Sequence, residues 1–301
     1  MLNGIICINK PQDFTSFDVI AKMRGILKMK KLGHSGTLDP MATGVLPVFA
    51  GGATKAISII PETGKSYRAG FQLGIETDTY DTTGEIIGKK DFKISRDQLL
   101  NSLEAFKGKI TQLPPMYSAV QVNGKRLYDL ARKGVEVERP EREVEISRLE
   151  LLEFDEKTGK GTLEMSCSKG TYVRSVIHDV GQALECGAAM TSLVRTLSNS
   201  FSLEECVTLE ELEKLRDEDK LWKIIKPVEK MFLTLPQIKL SEKKTTMYKN
   251  GVKLMLERIN IPENAEKLRV YGFDGEFIGI AKPDREENVL RVLKNLNGDG
   301  K

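Results

Sequence analysis

Apolar positions recur along this chain with two periods, and the change from one to the other marks out its elements. Ile5-Ile6-Cys7-Ile8, within residues 3–9, predicts a short buried strand ending at Asn9-Lys10-Pro11. Thr15-Ser16-Phe17-Asp18 has the capping-box pattern that opens a helix, and Val19/Ile20, Met23 and Ile26/Leu27 then fall on one face. Tyr67, Ala69, Phe71 and Leu73 alternate strictly, which predicts a strand with one apolar side. Residues 96–107 read as a helix through Leu99/Leu100, Leu103 and Phe106. Leu163, Met165 and Cys167 mark a further strand. It runs through Lys169-Gly170-Thr171 into a helix with Val173, Val176/Ile177, Val180 and Leu184 on one side. Residues 208–217 predict a highly charged helix.

Between these elements lie two stretches of different character. Gly33 to Gly52 is glycine-rich and almost free of charge, whereas Gln112 to Pro140 is rich in turn and basic residues and reads as an excursion from the core, about 108–140. The pattern changes again between Lys226-Pro227 and Leu235-Pro236, where a domain boundary is expected. Beyond it, short strands and turns predict a small β-rich module, with a tight hairpin at Phe273-Asp274-Gly275-Glu276.

A chain of 301 residues is long enough for two domains, and 40% apolar with 30% charged residues describes a soluble globular protein. The apolar run near the N-terminus is too short for a signal peptide or a membrane span, so a cytoplasmic protein is expected. Cys7, Cys167, Cys186 and Cys206 form no C-x-x-C pair, and only His34 and His178 could join them, so reduced thiols rather than a zinc site are expected. The net charge of +3 says little, but its distribution says more. Val19 to Leu38 holds Lys22, Arg24, Lys28, Lys30 and Lys31 with no acid, and Lys107 to Lys133 holds six basic residues against Asp129. Both segments would attract a polyanion, although lysines also simply solvate helix faces.

Candidate chemistry concentrates in the glycine-rich stretch. Pro40 restricts Asp39 to extended conformations and keeps this carboxylate out of helical geometry. Taken alone, an aspartate before proline in such a loop is a turn former. Gly51-Gly52-Ala53-Thr54-Lys55 has glycines, a hydroxyl and a lysine but lacks the G-x-x-x-x-G-K-[ST] arrangement of a phosphate-binding loop. With two histidines in the chain, acid–base chemistry must lean on carboxylates, tyrosines and arginines.

Gly33-His34-Ser35-Gly36-Thr37-Leu38-Asp39-Pro40-Met41-Ala42-Thr43-Gly44-Val45-Leu46-Pro47-Val48 closely resembles the signature of the TruB family of tRNA pseudouridine synthases. Lys65-Ser66-Tyr67-Arg68 resembles the family's second motif, and Ser168-Lys169-Gly170-Thr171-Tyr172-Val173-Arg174 its third. Cys186-Gly187-Ala188 followed by Leu193 and Arg195 is similar to the fourth. The motifs stand in the family's order across residues 4–230, and the tail resembles the family's RNA-binding PUA module.

The resemblance implies roles. Asp39 would be the nucleophile, with Arg174 as its partner cation and Tyr67 stacked on the extruded uracil. Arg174 lies in the first turn of its predicted helix, where the dipole disfavours a cation unless a carboxylate stands opposite. His34 would fill the space left by the flipped nucleotide or touch its phosphate, Lys55 would contact phosphate, and Leu193 would line the uracil pocket. The basic excursion resembles the family's RNA-gripping thumb. Within it, Met116-Tyr117-Ser118-Ala119 and Gly124-Lys125-Arg126-Leu127-Tyr128 resemble the stand-alone bacterial members, and Lys125 and Arg126 would bind RNA.

The expectation is therefore an α/β (α+β) protein. A pseudouridine synthase domain over 1–230, built on a largely antiparallel mixed sheet, would precede a PUA-like domain over 231–301. The implied activity is isomerisation of uridine 55 in the T-arm of tRNA by a monomer that needs no metal, organic cofactor, membrane or protein partner. The rivals are a guide-RNA-dependent synthase subunit and a non-catalytic RNA-binding protein that keeps the scaffold.

Overall fold

The computed structural model describes residues 2–61, 64–118, 120–122 and 124–296, without the side chain of Arg126. Ala119 and that side chain, both singled out in the sequence, thus lie outside the described residues. Strands β1 (Gly4–Lys10), β2 (Leu32–His34), β3 (Thr43–Ala50) and β4 (Lys65–Leu73) open the chain, with helix α1 (Ser16–Leu27) between the first two. A hairpin of β5 (Ile75–Thr77) and β6 (Ile86–Lys89), helix α2 (Arg96–Glu104) and β7 (Gly108–Gln112) follow. The excursion carries the hairpin β8 (Gln121–Val122) and β9 (Lys125–Arg126) and the short helix α3 (Leu127–Ala131). The chain returns through β10 (Arg142–Asp155), β11 (Lys160–Cys167), α4 (Val173–Ala183), β12 (Ala188–Ser198), β13 (Phe201–Ser202) and α5 (Leu209–Asp217).

One large sheet runs β1-β3-β12-β4-β11-β10-β7, with β2 on β3 and β13 on β12. Every pairing among the described strands of this sheet is antiparallel except β3 with β12, where Val194 faces Thr43 and Arg195 faces Gly44. The expected largely antiparallel mixed sheet is what forms. Gly108–Gln112 is its edge strand, so the excursion leaves the core after Gln112.

The apolar pattern sorts onto separate cores. Val173, Val176, Ile177 and Val180 of α4 pack with Tyr67, Ala69, Phe71 and Leu73 of β4 and with Leu99 and Leu103 of α2. The β1 sequence reads as a continuous apolar run because both its faces are covered. Ile6 and Ile8 pack under α1 and α5, while Ile5 and Cys7 face a second cluster with Phe49, Phe201 and Phe232. Helix α1 begins at the Thr15 cap, with the reciprocal Thr15–Asp18 capping box present, and ends at Lys28 in the left-handed conformation. Helix α2 stops at Glu104, three residues short of the periodicity: Ala105 and Phe106 tighten into turns on Ser102 and Leu103 before Gly108.

After the turn Val228–Phe232, a second sheet forms from β14 (Gln237–Lys239), β15 (Leu254–Met255), β16 (Leu268–Tyr271), β17 (Phe277–Asp284) and β18 (Val289–Asn295), with α6 (Glu242–Lys249) alongside. The predicted hairpin sits between β16 and β17, closed by Gly272 N–H donating to the Glu276 carbonyl at 2.8 Å, with Gly275 at φ +84°. This sheet has its own core around Tyr248, Leu268 and Ile278, while Ile280 and Leu296 join the cluster behind β1 and β3. Cys7, Cys167 and Cys186 are buried free thiols and Cys206 is partly buried. Among the described residues, no helix is long and apolar enough to cross a membrane.

Gly44 is the tightest point of the β3–β12 seam. It has φ +100°, and a Cβ there would lie 2.3 Å from the Arg195 carbonyl oxygen and 2.8 Å from its nitrogen. Neither atom can move without breaking the seam. Gly44→Ala is expected to cost roughly 2–4 kcal/mol of unfolding free energy, read from urea titration of the purified protein; an unchanged midpoint would mean that the seam yields.

Candidate active site

The loop from Gly36 to Ala42 runs from β2 to β3 and carries Asp39, and four neighbours fix its path. Leu38 N–H donates to Ser16 Oγ at 2.9 Å, and Asp13 N–H donates to the Pro40 carbonyl at 2.9 Å. The Lys10 ammonium, fully buried, donates to the carbonyls of Pro11 at 2.8 Å, Pro40 at 3.1 Å and Phe14. Arg195, also fully buried, donates through Nε to the Val45 carbonyl at 2.7 Å, and through its two terminal nitrogens to Thr37 at 3.3 Å and Gly36 at 3.2 Å. A loop whose sequence signals only a turn is thereby held by two cations from outside it.

Arg174 reaches Asp39 from the second residue of α4. Its Nε lies 3.0 Å from Asp39 Oδ2, and Nη1 lies 3.4 Å from Asp81 Oδ2. Nη1 also donates to the Thr79 carbonyl and Nη2 to the Tyr117 carbonyl, each at 3.0 Å. The start of this helix is fastened to the sheet edge by buried Gln112. Tyr172 N–H donates to Gln112 Oε1 at 2.8 Å, and Gln112 Nε2 donates to the Tyr172 carbonyl at 3.1 Å. The guanidinium is nearly all buried, yet 36% of the Asp39 side chain is open.

That opening faces a cavity of about 240 Å³ whose wall includes Leu38, Asp39, Tyr67, Tyr172, Arg174 and Leu193. Tyr67 on β4 and Leu193 on β12 stand close together, because Arg195 faces Tyr67 and Leu193 faces Ala69 across the strands. Tyr67 is 7% exposed and belongs to the core, and the Arg195 cation lies near its phenol. It is a core tyrosine and a pocket wall at once. A wider hollow of about 470 Å³ adjoins the site through Lys65, but its serines are engaged with their surroundings. Ser66 and Ser166 bond to each other at 2.9 Å, and Ser168 Oγ accepts from Glu145 N–H at 2.9 Å.

The electrostatics follow from burial. Desolvation pushes the Asp39 carboxyl above its usual range, with Asp81 adding to the rise, while Arg174 and then Lys10 oppose it. Burial raises the Tyr67 phenol, which keeps it protonated at neutral pH. Burial also pushes Lys10 down to about 8, against the pull of Asp39. His34 is lowered by burial and by Arg195, and its Nδ1 is buried without a partner.

The structure therefore brings Asp39, Tyr67, Arg174 and Leu193 to one cavity. His34 lies on β2 beside the loop but off the cavity wall, Lys55 on the 3-10 turn Gly51–Ala56, and Lys125 exposed on β9. Sequence reasoning missed Asp81, Lys10 and Arg195 as builders of the site. Asp81 looks like one more polar residue in a turn-rich stretch. Lys10 carried a faint signal, as a single charge beside apolar strand positions, while Arg195 stood in the fourth motif without a role. Among the described residues no group of three His, Cys, Asp or Glu could hold a metal ion.

Residues 24–173 match the model of the TruB family pseudouridylate synthase (N terminal domain), and residues 174–233 that of the tRNA pseudouridylate synthase B C-terminal domain. The join between them falls at the start of α4, between strands of one sheet. The chain is 43% identical over 298 residues to a tRNA pseudouridine synthase B of Clostridium tetani, covering 98% of this chain and 100% of the relative. A tRNA pseudouridine synthase B of Clostridium perfringens is 44% identical over 295 residues, covering 97% and 99%. One of Dehalococcoides mccartyi is 42% identical over 287 residues, covering 95% and 94%. Among solved structures, a chain of an H/ACA RNP bound to a substrate RNA containing 2′-deoxyuridine superposes with a TM-score of 0.74 at 25% identity, covering 98% of this chain and 86% of that one. A chain of a Cbf5-Nop10-Gar1 complex gives 0.75 at 27%, covering 97% and 84%. With two consecutive family matches and relatives aligned over nearly their full length, this chain belongs to the TruB family of pseudouridine synthases.

Proposed function

We propose that the chain isomerises uridine in the T-loop of tRNA, conventionally position 55, to pseudouridine, with Asp39 as its nucleophile. The observation that carries this reading is the Asp39 carboxylate, about a third open and paired with buried Arg174 on the wall of a cavity that Tyr67 and Leu193 complete. In this isomerisation the N1–C1′ bond breaks, the base turns, and a C5–C1′ bond forms. A proton leaves C5 and N1 gains one, so no atom enters or leaves overall.

The cavity serves that sequence through its own residues. Arg174 keeps Asp39 ionised and aimed, Tyr67 offers an aromatic face to the free base, and Leu193 supplies an apolar wall. Extruding the uridine costs a few kcal/mol, least where the nucleotide already lies in a loop. His34, Lys55 and Lys125 take RNA contacts outside the cavity, and Arg126 contacts RNA with them. Residues 1–230 act as the catalytic domain with its gripping excursion, and 231–301 as a PUA-like RNA-binding domain. The chain acts as a cytoplasmic monomer without an obligatory protein partner or cofactor. Relatives at 42–44% identity are named tRNA pseudouridine synthase B, whereas the H/ACA and Cbf5 chains are 25–27% identical, so the guide-RNA-dependent reading is not favoured.

The purified chain is expected to form pseudouridine at one position of a T-arm hairpin without guide RNA or added protein. Asp39→Asn is expected to abolish product, at least about 10⁴-fold in kcat, while tRNA affinity changes less than about threefold. Mapping of the product together with filter binding checks both, and substantial turnover by Asp39→Asn would remove the nucleophile assignment.

The raised Asp39 carboxyl gives the sign of the pH dependence. The ionised form is the active one, so kcat/KM falls as pH drops through a value above the ordinary aspartate range. Loss of the opposing cation in Arg174→Met is expected to move that acid limb further towards neutrality, measured on residual single-turnover rates. A limb that stays in place would mean that Arg174 does not hold Asp39.

A further inference from the structure

Tyr80 and His178 take no part in the chemistry above, yet they form the closest ring stack in the described structure. Their centroids are 3.9 Å apart with the planes 15° from parallel. Tyr80 adopts φ +64°, a conformation that a bulky residue holds only when its surroundings impose it. Its neighbour Asp81 is the second carboxylate on Arg174. Asp81 Oδ1 in turn accepts from Thr79 Oγ1 at 2.9 Å and from Thr83 N–H at 3.0 Å, and Thr79 lends Arg174 its carbonyl. Segment 79–83 is thus half of the cradle that aims Arg174.

That segment has two supports. Its backbone is tied to β12, where Met190 N–H donates to the Tyr80 carbonyl at 3.0 Å and Thr82 N–H donates to the Met190 carbonyl at 2.9 Å. Those bonds fix it to the sheet but leave its distance from α4 to side chains. His178 stands four residues after Arg174 on α4, one turn along the same side of the helix. The Tyr80–His178 stack therefore meets the segment from the same helix that carries Arg174. A second link, Gln182 Nε2 donating to Glu76 Oε1 at 2.8 Å, joins a further turn of α4 to β5.

We propose that the Tyr80–His178 stack is a positioning device for the isomerisation: it clamps the Asp81 segment onto α4 and so holds the Arg174 fork on Asp39. The inference rests on the assignment of Asp39 and Arg174 to the reaction. His178 acts as a flat, uncharged ring. Burial lowers its pKa, Glu76 is the charged group that opposes this, and Nδ1 is buried without a hydrogen-bond partner. A brace of this kind needs ring shape and not imidazole chemistry.

The test uses the full-length protein with tRNA. His178→Ala and Tyr80→Ala are each expected to lower single-turnover kcat about three- to tenfold, the range that an aromatic pair supports, with KM for tRNA nearly unchanged. The acid limb of kcat/KM is expected to rise in both. Asp39 faces Arg174, Asp81 and Lys10, and a slackened Arg174 fork opposes its protonation less. The double variant should be no slower than the worse single one, and His178→Phe and Tyr80→Phe should recover most of the rate. A stabilising role alone would lower the melting temperature and leave the kcat of the folded protein and the acid limb in place, which would overturn the proposal. So would additive losses in the double variant, or an alanine-like rate in His178→Phe. Failure of the wild-type chain to modify any tRNA would instead remove the functional assignment on which the inference stands.

Discussion

A guanidinium sealed from water keeps its charge and all five N–H donors, so something in the fold must accept from them. Arg195 meets this demand with the carbonyls of Gly36, Thr37 and Val45, which bracket the loop that carries Asp39. Each acceptor lost would leave a charged donor unsatisfied, at roughly 1–3 kcal/mol or more. The loop is therefore shaped by a side chain more than 150 residues away in sequence. The same residue sits opposite Gly44 at the parallel seam and opposite Tyr67 on β4, so loop, seam and pocket wall share one anchor.

Arg174 solves a different problem. Arg195 has carbonyls and no carboxylate, whereas Arg174 divides its fork between Asp39, Asp81 and two carbonyls. A cation shared between two carboxylates neutralises neither completely. One of them is enclosed and locked by Thr79 and Thr83, and the other is a third open to the cavity. The pair thus separates into a fixed counter-charge and an accessible one, set by position relative to the cavity rather than by residue type.

Much of the frame was legible in the sequence because it rests on local periodicity. The alternation of Tyr67, Ala69, Phe71 and Leu73 gives β4, the Thr15–Asp18 box gives the start of α1, and the 173–184 pattern gives α4. Arg174 was legible too, as a cation misplaced at a helix start. Asp81, Lys10 and Arg195 were not, because their roles come from contacts across 30 to 159 residues that no local pattern records. The division of cores was hidden for a related reason. Composition shows that β1 is apolar, but not that its two faces serve different neighbours.

That double burial of β1 bears on how the two sheets are held to one another. Ile280 and Leu296 of the C-terminal sheet share a cluster with Ile5, Phe49 and Phe232, and the Phe232 and Phe277 rings stack at 6.3 Å. Val45 and Phe49 in the same cluster come from β3, the strand that follows the Asp39 loop. The two sheets are therefore joined by common apolar mass rather than by a tether. The span between them is set by side-chain packing, so a change of volume at Phe232 or Ile280 would be felt by both sheets at once.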